Sequence, residues 1–209
     1  MEGRKALSAL PEKVLLMYQA VIRMIGEGFD INKMKVSDIT ARAGIGKGTA
    51  YEYFSSKEEI IADAILYDVQ GKHDHLAQIV KEDGSFREKF GKILDYMTEV
   101  FQEKETFCLL VRIVTGSYEI SEPLRRECQK RQQDKDGRLL EDIVECLMRQ
   151  AAAEGVIKER NPEFQKMAFV AQMIAFASLL VREEKGEETP ISIEQGKEFV
   201  YGALVKSLN

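Results

Sequence analysis

Side chains that can donate hydrogen bonds recur in one short stretch, where Lys47, Thr49 and Tyr51 occupy alternate positions and Tyr53 and Lys57 follow. Ammonium and hydroxyl groups bind phosphate oxygens, and slim side chains let a helix approach base edges in a DNA major groove. We expect Lys47 and Thr49 to reach bases or adjacent phosphates, and the others to hold the DNA backbone. The candidate DNA-binding residues are Ser37, Lys47, Gly48, Thr49, Tyr51, Tyr53 and Lys57.

Two short helices joined by a glycine-containing turn would present these side chains. Val36, Ile39 and Ala43 recur at the spacing of one helix face. Gly44 then stands where a left-handed backbone ends a helix, and Gly46 permits a sharp re-entry into the next one. The sequence therefore predicts a helix-turn-helix, a motif that also occurs in proteins that never contact DNA.

A longer run of residues gives this motif a family likeness. The segments that carry it are Gly28-Phe29-Asp30, Val36-Ser37-Asp38-Ile39, Ala43-Gly44-Ile45, Lys47-Gly48-Thr49, Tyr51, Tyr53-Phe54 and Ser56-Lys57-Glu58-Glu59. In this order and spacing, over about residues 12–66, the chain resembles the DNA-binding domain of the tetracycline-repressor (TetR) family of bacterial transcriptional regulators. The resemblance implies an all-helical dimer whose N-terminal domain binds an operator and whose larger C-terminal domain binds a small effector.

Three positions depart from the usual pattern of that family. Lys35 and Gly46 stand where a Ser or Thr commonly caps a motif helix, and Thr40 stands where a small Ala usually packs. Glycine is an acceptable N-cap. We expect the Thr40 hydroxyl to bond to a carbonyl one turn back along its own helix.

Charge along the chain is distributed as DNA binding requires. The net charge is −5, yet residues 1–57 carry nine Lys and Arg against six Asp and Glu, which leaves 21 against 29 for the remainder. A basic end can contact the duplex, whereas the acidic remainder is repelled by it. The basic end coincides with the motif.

The pattern along the whole chain predicts an all-α protein of about nine helices with two domains. Residues 1–66 form a three-helix helix-turn-helix domain, and residues 67–209 form a larger effector-binding and dimerisation domain. Helix starts are marked by capping boxes. These boxes pair Ser56 with Glu59, Ser85 with Glu88, and Ser192 with Gln195. Thr106–Tyr118 is predicted to be a central, buried helix.

Two consecutive apolar helices predict how the chain forms a homodimer. Phe164–Arg182 and Ser192–Leu208 carry broad apolar surface, and small residues such as Gly196 and Gly202 allow helices to approach closely. With their symmetry mates these helices would form a four-helix bundle. Two recognition helices would then meet the half-sites of a palindromic operator about one DNA turn, roughly 34–36 Å, or more apart.

Bulky, adaptable side chains in the larger domain predict a mainly apolar effector pocket. Its candidate lining residues are Tyr96, Phe101, Phe107, Cys108, Val111, Arg112, Tyr118, Met148, Met173 and Phe176. Arg112 is isolated in an apolar run. An unpaired buried guanidinium is costly, so an anionic group on an amphiphilic ligand is a plausible partner for it, the alternative being an acidic neighbour.

Two other classes of protein compete with a regulator. A helical enzyme or metal protein would have to use His73-Asp74-His75 and scattered cysteines, but residues two apart on a helix point in different directions. An adaptor would use the helix-turn-helix for protein contacts and would not need the donors of Tyr51, Tyr53 and Lys57. We therefore expect no enzymatic activity, no cofactor and no metal.

Nothing in the sequence predicts a membrane protein. The apolar run Ala168–Val181 falls short of the ~20 residues that span a bilayer, and no signal-peptide pattern precedes the first helix. We expect a cytoplasmic protein.

Overall fold

The described part of the chain folds into α-helices, as its sequence pattern predicts. The computed structural model describes residues 10–102, 109, 113, 118–134, 141–184 and 190–209. Within those residues it contains nine α-helices and no β-strand, which confirms the predicted class. The helices are α1 (Glu12–Gly26), α2 (Val36–Ala43), α3 (Lys47–Tyr53), α4 (Lys57–Lys81), α5 (Phe86–Gln102), α6 (Glu122–Asp134), α7 (Glu141–Ala153), α8 (Pro162–Glu184) and α9 (Ile193–Ser207). The helix predicted at Thr106–Tyr118 lies outside the described residues except at positions 109, 113 and 118.

Helices α4 and α9 begin at the residues that the sequence predicts as N-terminal caps. The Ser56 hydroxyl accepts a hydrogen bond from the Glu59 amide at 3.2 Å, while the Glu59 carboxylate accepts from the amide of Ser55 at 2.7 Å. At α9, the Ser192 hydroxyl accepts from the Gln195 amide at 3.2 Å and the Gln195 side chain accepts from the Ser192 amide at 2.8 Å. These bonds satisfy amides that a helix N-terminus leaves without partners.

The chain divides into two compact units. One lies within Met1–Val69 and Glu119–Lys135, and the other within Gln70–Tyr118 and Asp136–Asn209. The first unit thus includes α6, which follows the second unit's α5 in the chain. Helix α4 begins in the first unit and ends in the second.

The second unit is built around phenylalanine side chains from α5 and α8. Phe86, Phe90 and Phe176 are each no more than 1% exposed, and Leu204 of α9 is completely buried with them. A Cβ built on Gly196 of α9 would overlap a side chain of α8. The lack of a side chain at Gly196 therefore allows α9 to pack closely on α8 within one subunit.

Lys89 is a buried cation of this unit that binds a carbonyl at the C-terminal end of α4. The Lys89 side chain is 8% exposed, and its ammonium donates to the carbonyl of Val80 at 2.9 Å and to the amide oxygen of Gln150 at 2.8 Å. Replacement by Met keeps the aliphatic length but leaves both acceptors without this donor. We expect Lys89→Met to lower the free energy of unfolding by about 1–3 kcal/mol in urea denaturation.

The matched control for that variant lies one turn later on the same helix. Lys92 is half exposed and pairs with Glu82 at 2.5 Å. Exposed ion pairs contribute little, so Lys92→Met should leave the denaturation midpoint unchanged. Equal effects of the two substitutions would contradict a special role for Lys89.

Candidate nucleic-acid interface

The helix-turn-helix rests on a continuous apolar base in the first unit. Ile39 of α2 and Ala50 of α3 are fully buried, and Met17 of α1 is buried with them. The ring of Tyr18 packs against that of Phe54, with centroids 6.1 Å apart. This base fixes the direction of α3 and leaves its other face to solvent.

The corner between α2 and α3 depends on one glycine. Gly44 has a φ of 69°, and the Ile45 amide behind it donates to the Thr40 carbonyl at 3.0 Å. Gly46, in contrast, has an ordinary φ of −70°, so its backbone conformation does not require glycine. The predicted bond of the Thr40 hydroxyl is present, to the Ser37 carbonyl at 3.2 Å.

Most candidate DNA-binding residues share the exposed surface of this motif. Tyr51 is 54% and Tyr53 is 41% exposed, which argues against Tyr53 as a core residue. Ser37, Lys47 and Gly48 are also exposed, and Thr49 is half-buried. The Lys47 ammonium lies 5.9 Å from the centroid of the Tyr51 ring. The side chains of α3 therefore combine hydroxyl and ammonium donors on one accessible helix.

Lys57 is the exception, because its ammonium is already bound within the protein. It donates to the main-chain carbonyl of Asn32 at 2.8 Å and lies 3.7 Å from Glu58. Its side chain is 28% exposed. An ammonium has three donors, so this geometry orients Lys57 and leaves donors for a phosphate.

Ion pairs within the protein determine which cationic side chains near the motif are available to bind DNA. Arg42 forms two hydrogen bonds with Glu27 and lies over the ring of Phe29, 5.5 Å from its centroid. Lys35, which directly precedes α2, is exposed and makes no ion pair among the described residues. Its amide is bound at 3.0 Å by the Asp38 carboxylate. Lys35 is a further candidate phosphate contact.

Sequence reasoning missed a cluster of charged side chains that joins α6 to α4. The Arg131 guanidinium bonds to Asp63 and Glu127 and lies 3.3 Å from Glu59. Burial lowers the pKa of Arg131, but its hydrogen bonds to Asp63 and Glu127 outweigh burial and raise that pKa above its ordinary value. Burial, followed by the neighbouring Asp63, raises the pKa of Tyr18. Arg131 therefore stays charged while it holds α6.

The predicted effector-pocket residues do not all lie in one environment. Phe101, Met148 and Phe176 are buried in the core of the second unit, while Tyr96 and Met173 pack against that core. Tyr118 is half-buried. The remaining candidates, Phe107, Cys108, Val111 and Arg112, lie outside the described residues. A surface groove of about 760 Å³ between α7 and the start of α8 has Met148 among its lining residues.

The helices predicted to form a dimer leave an apolar face uncovered. On α8, Phe164 is 55%, Met167 is 66% and Ile174 is 40% exposed, and Phe199 of α9 is 67% exposed. A groove of about 250 Å³ borders Phe199. By length and composition Pro162–Glu183 would suffice to cross a membrane, and a third of its most apolar window is buried. The apolar run Ala168–Val181, from which we expected no membrane-spanning helix, is shorter than this segment.

The residues considered for a metal or a redox centre do not assemble into one in the described chain. No group of three or more His, Cys, Asp or Glu residues there has metal-binding geometry. His75 packs its ring on Tyr96 with centroids 4.2 Å apart, and His73 contacts Asp74 at 3.4 Å. Among the described cysteines, Cys128 and Cys146 are free thiols.

Comparison with known proteins agrees with this reading of the fold. Residues 25–64 match the family model described as bacterial regulatory proteins, tetR family. FadR from Bacillus subtilis in complex with stearoyl-CoA is 17% identical with a TM-score of 0.67, over 93% of this chain and 99% of that chain. FadR from Bacillus halodurans is 15% identical with a TM-score of 0.69, over 97% of this chain and 99% of that chain. Reduced NemR from E. coli is 16% identical with a TM-score of 0.65, over 92% of this chain and 96% of that chain. No curated protein matches the chain significantly.

Proposed function

We propose that this chain, which has the fold and the N-terminal motif of TetR-family transcriptional regulators, binds an operator sequence as a homodimer and is released from it by a small, mainly apolar effector. The observation that carries DNA binding is α3, whose exposed face bears Lys47, Gly48, Tyr51 and Tyr53 above a buried apolar base. Exposed tyrosine hydroxyls and a lysine suit phosphate binding, whereas a helix with a purely structural role would not need them.

The test of DNA binding is selection of a preferred duplex from random-sequence DNA. We expect enrichment of a palindrome, because a symmetric dimer reads two equivalent half-sites. Recovery of unrelated sequences, with no enrichment over several rounds, would contradict sequence-specific binding.

Thr49 should influence which sequence is selected. It lies between Gly48 and Ala50 on the N-terminal half of α3, where a slim side chain can reach base edges. We expect Thr49→Ser, which removes a methyl group that can contact thymine, to relax preference at one base pair per half-site by roughly fivefold to tenfold. The measurement is competition between duplexes that differ at single positions. Thr98→Ser, in the second unit, is the control.

The uncovered face of α8 and α9 supports the homodimer. A second copy is the occupant we propose, because apolar side chains at Phe164, Met167, Ile174 and Phe199 lie on two helices that pack together in the subunit. A four-helix arrangement of Phe164–Arg182 and Ser192–Leu208 with their symmetry mates would remove this surface from water. The same burial accounts for α8 without a membrane, and we propose a cytoplasmic, non-enzymatic protein.

An acyl-bearing effector is supported by one structural neighbour, since the B. subtilis FadR structure contains stearoyl-CoA. We propose that hydrophobic effectors bind in the second unit and that Arg112 meets their anionic group. Thermal-shift and operator-release assays with acyl compounds should give larger effects in the wild type than in Arg112→Ala. Equal binding and equal release by both proteins would remove Arg112 from the proposed pocket. We propose that the DNA-bound protein is a repressor and that effector binding relieves repression by this release.

A further inference from the structure

Asn32, in the connection between α1 and α2, forms hydrogen bonds in two directions. Its main-chain carbonyl accepts from the Lys57 ammonium at 2.8 Å. Its side-chain amide donates to the Glu119 carbonyl at 2.9 Å and accepts from the Ser121 amide at 2.7 Å. One residue thus holds a candidate phosphate-binding ammonium and a segment that lies 87 to 89 positions later in the chain.

We propose that Asn32 is a positioning residue for DNA binding, which sets the orientation of the Lys57 ammonium according to the location of residues 119–121. The inference rests on the proposed function, and specifically on a phosphate contact by Lys57. It goes beyond that function because Asn32 itself need not touch DNA.

The local geometry explains why the position of Asn32 matters to Lys57. A lysine side chain has many rotamers, and a hydrogen bond to a fixed carbonyl selects among them before DNA arrives. The carbonyl of Asn32 is fixed in turn, because the Asn32 amide N–H is bound at 3.0 Å by the Asp30 carboxylate and its side chain is held by residues 119 and 121. Loss of the side-chain bonds would free the connection and the ammonium together.

A second attachment keeps the same segment in place. Arg131, which follows those contacts on the same segment, binds Asp63 and lies 3.3 Å from Glu59, and both carboxylates are on α4. Residues on either side of Glu119–Lys135 belong to the second unit. A ligand-dependent shift of this segment would therefore reach Lys57 through Asn32, without any change in the side chains of α3.

The experiment is a double-mutant cycle with Asn32→Ala and Lys57→Ala, measured on a duplex that the wild-type protein selects from random-sequence DNA. In the wild-type background we expect Asn32→Ala to weaken binding about fivefold to tenfold, and in the Lys57→Ala background less than twofold, because coupled residues are not additive. Asn32→Ala should also raise deuterium uptake in the peptide covering residues 119–134. These two results together would support the proposal.

Ser37→Ala is the control, since Ser37 is exposed on the same unit and its hydroxyl donates to Asp38. Its effect should be the same in both backgrounds. If Asn32→Ala folds poorly, Asn32→Ser replaces it, because serine keeps the turn propensity of this position but is too short to reach both backbone groups.

The outcomes separate this inference from the function on which it rests. Equal losses from Asn32→Ala in both backgrounds, or no loss in either, would overturn the positioning role while DNA binding stands. If the wild-type protein binds the selected duplex but Lys57→Ala has no effect, Lys57 is not a DNA contact and the inference falls with it. If the wild-type protein selects no duplex, the proposed function itself is wrong.

Discussion

The Tyr51→Ala, Lys57→Ala double variant is expected to lose at least about a hundredfold in operator affinity at fixed salt, because a hydrogen bond to a charged group is worth about 1.5–3 kcal/mol. Tyr51 is 54% exposed on α3, and the Lys57 ammonium is held near the start of α4. A dimer would lose both contacts in each half-site. Fluorescence anisotropy with a labelled duplex gives the affinity.

Salt dependence distinguishes lost phosphate contacts from a damaged fold. Each Lys57 that leaves a phosphate should reduce the slope of log affinity against log salt by about 0.9, hence by about two for the dimer. Lys158→Ala, an exposed cation of the second unit, removes the same charge and should change neither the affinity nor the slope. Normal affinity of the double variant would show that these side chains do not contact DNA.

An Ile174→Asp, Phe199→Asp variant is expected to sediment as a 23.7 kDa monomer at micromolar concentration, whereas the wild type sediments as a dimer. In a twofold-symmetric interface each substitution occurs twice. Four carboxylates would then be buried among apolar groups, and burial of even an uncharged polar group without a partner costs about 1–3 kcal/mol in protein mutational data. The monomer should also bind operator DNA at least about a hundredfold more weakly, because linkage of two half-sites is lost.

The control for the dimer is Gln78→Asp, which adds one negative charge at an exposed position of α4. It should leave the sedimentation coefficient unchanged. A monomeric wild type would refute the proposed homodimer, and a dimeric double variant would move the interface away from this face of α8 and α9.

The start of α4, the start of α9, the end of α2 and the exposed side chains of α3 could be predicted from the sequence, because the interactions that determine them are local. Ser56 and Ser192 bond to amides three residues away, and Gly44 ends α2 through its own φ of 69°. Such signals act within one helical turn. The spacing of Ile39 and Ala50 predicted which side of each motif helix is buried, and therefore which side chains remain for DNA.

Tertiary structure alone decided which partners those side chains meet. The sequence could not predict that Asn32 binds residue 121, 89 positions away, or that Arg131 binds Asp63, 68 positions away. The pattern around α6 is thinly apolar, so periodicity did not indicate which unit it joins. The sequence likewise did not indicate that Gly196 is the point where α9 meets Leu179 of α8 within one subunit. Periodicity and capping report the environment of a residue along its own helix, whereas the partner of a charge or a small residue depends on which distant segments the fold brings together.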